Sequence, residues 1–471
     1  MGKYRLPVIL FFGLIIVFLI ILLLIEKKEK NIIIPDQDKL GIEVYQKNKA
    51  KHKQINWIGR WENEAEKCNF EKNIANNYEF FHHNLVINLK YPSQINNKPA
   101  NELMTDIIVN MIETSTYSWD IIWINEKIYK NVAGRINDNN WGEKYLVNFE
   151  NIPGFKQSHN KYIINNKSVI ANNFNNQIYG PYVEGNYIVL WYNSELTDKI
   201  GIKIKETGIN FYDFIDYIDL IQEYNSKNNT NYAPLYESSD KLLTELLFQN
   251  LYLSEIGHNI NQPDDLKLQA LRKTFESFEE LGKRKPLIKS HLKNKWNKTR
   301  GLVLDNKAVF YISGLEMYNY WKIIDEEKAC KMKPAELPSF KEKKFILGYF
   351  YPTWSVFKGS PNKTLAIDIL LSVANTETAK NWKNLAMNPT GLKTPESLDF
   401  YRNDDIGFVE KIERKYNYNM YYYPGASYLT GKIDHIVYTQ LNKNIREILN
   451  GDIMAAEAFN NINNLLDFQV Q

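Results

Sequence analysis

The chain has 471 residues and a net charge of +3, a near-neutral balance that weighs against a nucleic-acid partner. Its two cysteines, Cys68 and Cys330, lie far apart and form no C-x-x-C pair, so neither a disulfide framework nor a zinc site is expected and both thiols should be free. Aromatic residues make up 14%, with 31 Tyr and 10 Trp. Flat apolar faces beside a polar tip suit carbohydrate, although an excess of Asn, Lys, Ile and Tyr also follows from an AT-rich genome.

In chain order, the first feature is the uncharged run Leu6 to Ile25. About 20 such residues match the hydrocarbon thickness of a bilayer. Leu24-Ile25-Glu26-Lys27-Lys28 offers no A-x-A cleavage site, so residues 1–30 read as an uncleaved transmembrane anchor. No cysteine directly follows the run, which argues against a lipoprotein. Lys3 and Arg5 before it and Lys27, Lys28 and Lys30 after it leave the orientation open. No later run of about 18 apolar residues occurs, so a single pass is expected. Residues 31–53 are charged, lack periodicity and contain Pro35, the composition of a spacer.

The folded part is expected to start at Gln54. Ile55 to Gly59, Leu85 to Tyr91 and Trp119 to Ile124 read as strands. A helix lies between the first two, and another, Asn101 to Thr114, spaces Leu103, Ile107, Ile108, Met111 and Ile112 along one face. That alternation implies a parallel sheet. Asn-rich Ala171 to Asn176 reads as loop, Tyr187 to Tyr192 as strand, and Phe211 to Tyr224 as an amphipathic helix. Ser360-Pro361 should open a further helix, with Ser as cap and Pro in the first turn, and Asn388-Pro389-Thr390-Gly391 should break the helical pattern. The C-terminal part returns to helix from Asp434 to Leu449 and from Ala455 to Leu466. The soluble length suffices for two lobes.

The common catalytic signatures are absent: there is no G-x-x-x-x-G-K-[ST] loop, G-x-S-x-G elbow or H-E-x-x-H helix. His82-His83 would point apart on a strand and make a poor metal site. No cofactor, no metal and no catalytic residue is expected. Paired glycosidase carboxylates meet only in the folded chain, so that chemistry stays open.

The segment Tyr179-Gly180-Pro181-Tyr182-Val183-Glu184-Gly185-Asn186-Tyr187-Ile188-Val189-Leu190-Trp191-Tyr192-Asn193-Ser194-Glu195-Leu196 resembles the extracellular solute-binding proteins of ABC importers, in the sugar-binding branch that includes maltose-binding protein. Gly301 to Gly314, Leu337-Pro338 with Trp354 to Lys363, and the tail Ile448 to Phe459 are similar to that family and follow in its order. The chain departs from it at Leu315-Glu316-Met317, where the family usually has Trp, in lacking a lipobox, and over Asn131 to Gln177.

The resemblance implies an α/β fold of two interleaved lobes with a hinge, residues 54–182 and 350–390 forming lobe 1, residues 187–345 and 391–471 lobe 2. It implies a monomer, not an enzyme, that holds a solute, by expectation a sugar, in the cleft and delivers it to ABC permease subunits. The bulk of the chain would then lie outside the cytoplasm. Candidate ligand-binding residues are Trp61 and Glu62, Trp123 and Asn125, the crossing Glu184, then Tyr236, Glu237, Glu316, Tyr318 and Tyr351. A sensing receptor and a surface polysaccharide hydrolase are the alternative readings.

Overall fold

The structure, a computed structural model, describes residues 53–62, 64–167, 174, 177–257, 259–289, 292–393, 404–417 and 419–466. The expected anchor at Leu6 to Ile25, the spacer up to His52, and the Asn-rich run apart from Phe174 lie outside them. Among the described residues no helix is long and apolar enough to cross a membrane.

The chain divides into two compact units, one of Met1–Gln54 with His82–Val86 and one of Ile55–Phe81 with Ile87–Gln471. In the first, Lys53 N–H donates to the Asn84 carbonyl at 3.0 Å. His82 and His83 lie in a turn there rather than on the expected strand, because Leu85 N–H closes back on the His82 carbonyl at 2.9 Å.

The strands among the described residues are β1 (Lys53–Ile58), β2 (Leu85–Lys90), β3 (Ile121–Ile122), β4 (Glu184–Asn193), β5 (Ala233–Leu235), β6 (Ala308–Gly314), β7 (Met332–Ala335), β8 (Ile346–Tyr351), β9 (Ser355–Val356) and β10 (Met420–Tyr421). They form two sheets, ordered β2-β1-β3-β9 and β10-β8-β4-β6-β5, with β7 also on β4. In the first sheet β1 and β3 run parallel, as expected, with Trp57 opposite Ile121. The third strand is shorter than the expected Trp119 to Ile124, and β9 joins it antiparallel through Ile121 opposite Val356.

In the second sheet β4 changes partners along its length. Glu184 to Tyr187 pair with β8, and Leu190 to Tyr192 pair with β6 on one edge and β7 on the other. All its residues but Tyr192 are buried, so its apolar stretch Tyr187 to Trp191 is continuous rather than alternating.

The helices follow local signals. Phe211–Asn228 starts on a reciprocal capping box, Asp213 N–H to Asn210 Oδ1 at 2.8 Å and Asn210 N–H to Asp213 Oδ2 at 3.0 Å. It buries Phe211, Phe214, Ile215, Tyr217, Ile218 and Ile221, each worth roughly 1.5–3 kcal/mol of transfer free energy. Asp434 caps His435–Asn450 and Gly451, at φ +81°, closes it before Ala455–Asn463. Both helices pack on Asp264–Lys283.

One expected start is corrected. The helix after Ser360-Pro361 begins at Lys363, because the Ser360 hydroxyl donates to Asp120 Oδ1 at 2.6 Å and accepts from Asn362 N–H at 3.1 Å, closing a turn instead of capping. Cys68 is buried, Cys330 is exposed, and both are free.

Candidate functional site

The loop after β1 carries Arg60 and Trp61 and is fastened by a buried carboxylate. Glu71, on the helix Ala65–Phe81, accepts from Arg60 N–H at 3.0 and 3.1 Å, from Trp61 N–H at 3.4 Å and from Trp354 Nε1 at 2.8 Å. Burial pushes the Glu71 carboxyl up to about 7 against the pull of those donors. Trp61 then packs on Trp382 and Trp354, with ring centroids 5.0 and 5.5 Å away, and Trp354 meets Trp57 edge-on at 5.2 Å.

From this loop Arg60 reaches the first residue of β4, its Nη2 2.9 Å from Glu184 Oε2, while Lys67 Nζ lies 3.2 Å from Glu184 Oε1. Lys67 also pairs with Glu64 at 2.6 Å. Burial opposes ionisation of Glu184, but Arg60 and Lys67 hold it below the usual carboxylate range. Burial likewise disfavours the Lys67 ammonium, and Glu184 and Glu64 outweigh it and raise its pKa. The set is a desolvated charge triad whose members need one another.

Beside Glu184 the register does the assembling. Across the β4–β8 pair Glu184 stands opposite Tyr351 and Asn186 opposite Tyr349, so alternation puts all four side chains on one face. The Arg60 guanidinium carbon lies 5.0 Å from the Tyr351 ring centroid. Tyr349 packs against Tyr351 at 5.0 Å and Tyr422 at 4.8 Å. Asn186 Nδ2 donates to the Tyr349 hydroxyl at 2.9 Å and to Glu316 Oε2, and its Oδ1 accepts from Leu315 N–H at 2.8 Å. Gly314 leaves room here: a Cβ would enter the space of the Asn186 amide and the Glu316 carboxylate and force those side-chain ends to shift. Burial raises the pKa of Glu316, which Lys241 and Asn186 oppose.

Of the residues expected at a ligand site, the structure therefore links Trp61, Glu184, Glu316 and Tyr351. The others stand elsewhere. Glu62 accepts from Ser93 N–H at 3.2 Å. Trp123 Nε1 donates to the Gly59 carbonyl at 3.1 Å and steadies the Arg60 loop from beneath. Asn125 caps the helix Glu126–Ile136 by accepting from Ile128 N–H at 2.9 Å. Tyr236 is buried with its hydroxyl on the Leu302 carbonyl. Glu237 is fully buried and holds the start of the helix Thr244–Ile256 and the turn before it, accepting from Ser238, Leu243 and Thr244 N–H and the Thr244 hydroxyl at 2.8–2.9 Å. Tyr318 stacks on Trp191 at 6.2 Å.

Arg60, Lys67, Asn186, Tyr349 and Tyr422 join this cluster without having been expected from the sequence. The signals were the neighbour of Trp61, the alternation Glu184-x-Asn186, and the matching Tyr349-x-Tyr351. A crevice of about 140 Å³, lined by Glu64, Glu66, Lys67, Asn319, Lys322, Ile323 and Glu326, opens onto Lys67 from outside.

Residues 93–398 match the bacterial extracellular solute-binding protein family. The chain belongs to that family. As a solute-binding protein it holds a solute rather than turning it over, and its folded bulk lies outside the cytoplasm. No curated protein matches its sequence. Among solved structures it is similar to the apo form of RafE from Streptococcus pneumoniae, at 12% identity and TM-score 0.60, covering 88% of this chain and 97% of that one. It is also similar to the GacH receptor of Streptomyces glaucescens, solved unliganded and with acarbose, at 15% identity and TM-score 0.59 with the same coverage. A sugar transporter from Bacillus licheniformis in complex with stachyose matches at 14% identity and TM-score 0.52, covering 88% of this chain and 99% of that one. At these identities the likeness is one of fold, the α/β two-lobed architecture.

Proposed function

We propose that this solute-binding protein captures a carbohydrate, an oligosaccharide by preference, against the face built by Trp61, Glu184, Asn186, Tyr349 and Tyr351, and hands it to an ABC permease. The observation that carries the reading is the register of Glu184 opposite Tyr351 and Asn186 opposite Tyr349. It sets hydrogen-bonding groups for hydroxyls beside aromatic faces for the CH surfaces of a sugar ring. Three structural neighbours, solved in complex with raffinose, acarbose and stachyose, support the ligand class.

The crevice at Lys67 is smaller than the roughly 300 Å³ at which ligand pockets begin. Residues 54–182 with 350–390 and residues 187–345 with 391–471 would form the two lobes of a hinge, parting about β4 and β8 to admit an oligosaccharide. Leu6 to Ile25 would tether the protein to the membrane beside its permease, and a monomer suffices for the task.

Isothermal titration of the full chain against an oligosaccharide panel tests the reading. Saturable binding is expected, lost in Tyr351→Ala and Glu184→Ala. A ligand bound equally well by both variants would overturn the site.

A further inference from the structure

The near-neutral net charge conceals a strongly uneven distribution. Between Lys283 and Arg300 the chain carries eight Lys or Arg and neither Asp nor Glu. Part of this has a local explanation. Lys283 and Arg284 end the helix Asp264–Lys283, where cations complement the helix dipole, and they are neutralised by Glu280 at 3.1 Å and Asp219 at 2.6 Å.

Lys285, Lys289, Lys293, Lys295 and Lys298 are different. All five are exposed, and none pairs with a carboxylate among the described residues. Lys285 takes the left-handed position just past the helix, φ +46°, where glycine is the usual occupant. With Arg284, Lys289 and Lys307 it lines an open groove of about 760 Å³ against Asn225 and Tyr232. Leu292 stands 57% exposed in the same segment, between Lys289 and Lys293.

We infer that this segment docks on an anionic bilayer surface. Unpaired lysines at the water interface are attracted to acidic headgroups, additively and within a Debye length. An exposed leucine among them has no use for a soluble polyanion but gains by entering the headgroup–acyl boundary. That combination favours a membrane over an anionic polymer as the occupant. The inference does not rest on the identity of the captured solute. It gives the protein a second hold on the membrane, on the body that carries β5 and β6, and so a preferred orientation.

The test uses the full chain with vesicles of phosphatidylcholine alone, or with about one part in three of phosphatidylglycerol, and reads the amine reactivity of individual lysines by peptide mass spectrometry. That readout is indifferent to how else the chain is attached. On anionic vesicles Lys285, Lys289 and Lys293 should lose reactivity by more than about tenfold, high salt should restore it, and Lys130, exposed on the helix Glu126–Ile136, should not change. The triple variant Lys285→Glu/Lys289→Glu/Lys293→Glu should leave Lys295 and Lys298 reactive, whereas the corresponding triple Arg variant should keep them protected. Equal reactivity on neutral and anionic vesicles would overturn the inference. So would equal protection by soluble polyglycerol phosphate over neutral vesicles, which would assign the face to a polymer instead.

Discussion

The Arg60 guanidinium and the Glu184 carboxylate meet at 2.9 Å, and Lys67, only 2% exposed in its side chain, lies on the carboxylate's other oxygen. Removing the shared anion strands two cations. Glu184→Gln is expected to cost about 3 kcal/mol in urea unfolding, because breaking a buried pair leaves uncompensated charge. Adding Lys67→Met should recover part of that loss. A double variant no more stable than the single would show that the charges are not coupled.

His159 offers a pH prediction. The ring is buried, its Nδ1 is 2.9 Å from the Phe155 carbonyl, and its Nε2 accepts from Tyr182 N–H at 3.2 Å. Those contacts fit the neutral ring with the proton on Nδ1. Burial lowers its pKa to about 4. A depressed histidine contributes stability above its unfolded pKa, near 6.5, and loses it as pH falls toward the folded value. Stability should therefore decline by roughly 3 kcal/mol between about pH 6.5 and pH 4, and His159→Gln should flatten that part of the profile. An unchanged slope in the variant would assign the decline to other groups.

Gly314→Ala should disturb the Asn186–Glu316 contact, since the new methyl takes the space of both side-chain ends. Overpacking of this kind typically costs about 1–3 kcal/mol. Asn186→Ala in the same background should cost less than it does alone, by a double-mutant cycle on thermal unfolding. Strict additivity would argue that the two positions do not share that space.

Glu237 was expected at the ligand site, but its carboxylate is engaged by backbone and hydroxyl donors. Its four donors belong to the start of the helix Thr244–Ile256 and the turn before it. Glu237→Ala is expected to destabilise the protein by about 2 kcal/mol or more, as buried donors lose their acceptor. Ligand affinity, measured by titration below the unfolding transition, should stay as it was. A large loss of affinity at full folding would move Glu237 into the site.

These cases show what one chain reveals about itself. The crossing segment was legible because its apolar run, Tyr187 to Tyr192, and the turn residues before it are local signals. The helix at Phe211 carried its own cap. Long-range pairing was not legible. Nothing near Glu184 announces that Tyr351 will stand opposite it, since antiparallel register emerges only when both strands are in the sheet. Glu237 and Glu316 each follow a strand end and look alike in sequence. One turns onto its own backbone and the other reaches Asn186, a difference set by the folded loop. The unpaired lysines from Lys285 onward were hidden by summing charge over the chain.

The partner changes along β4 bear on how such a protein could take up a new ligand. At the crossing, Glu184 to Tyr187 are laced to β8, Gly185 N–H also donates to the Pro389 carbonyl at 2.9 Å, and Leu315 N–H returns to the Tyr187 carbonyl at 3.1 Å. Backbone there has little freedom to drift without dragging its neighbours. The rings of Tyr349, Tyr351 and Tyr422 are appended to that lattice by their side chains alone. Under the proposed site, diversification of taste would thus run through the aromatic inventory, one ring exchanged at a time, while the strand beneath stays fixed as a common chassis.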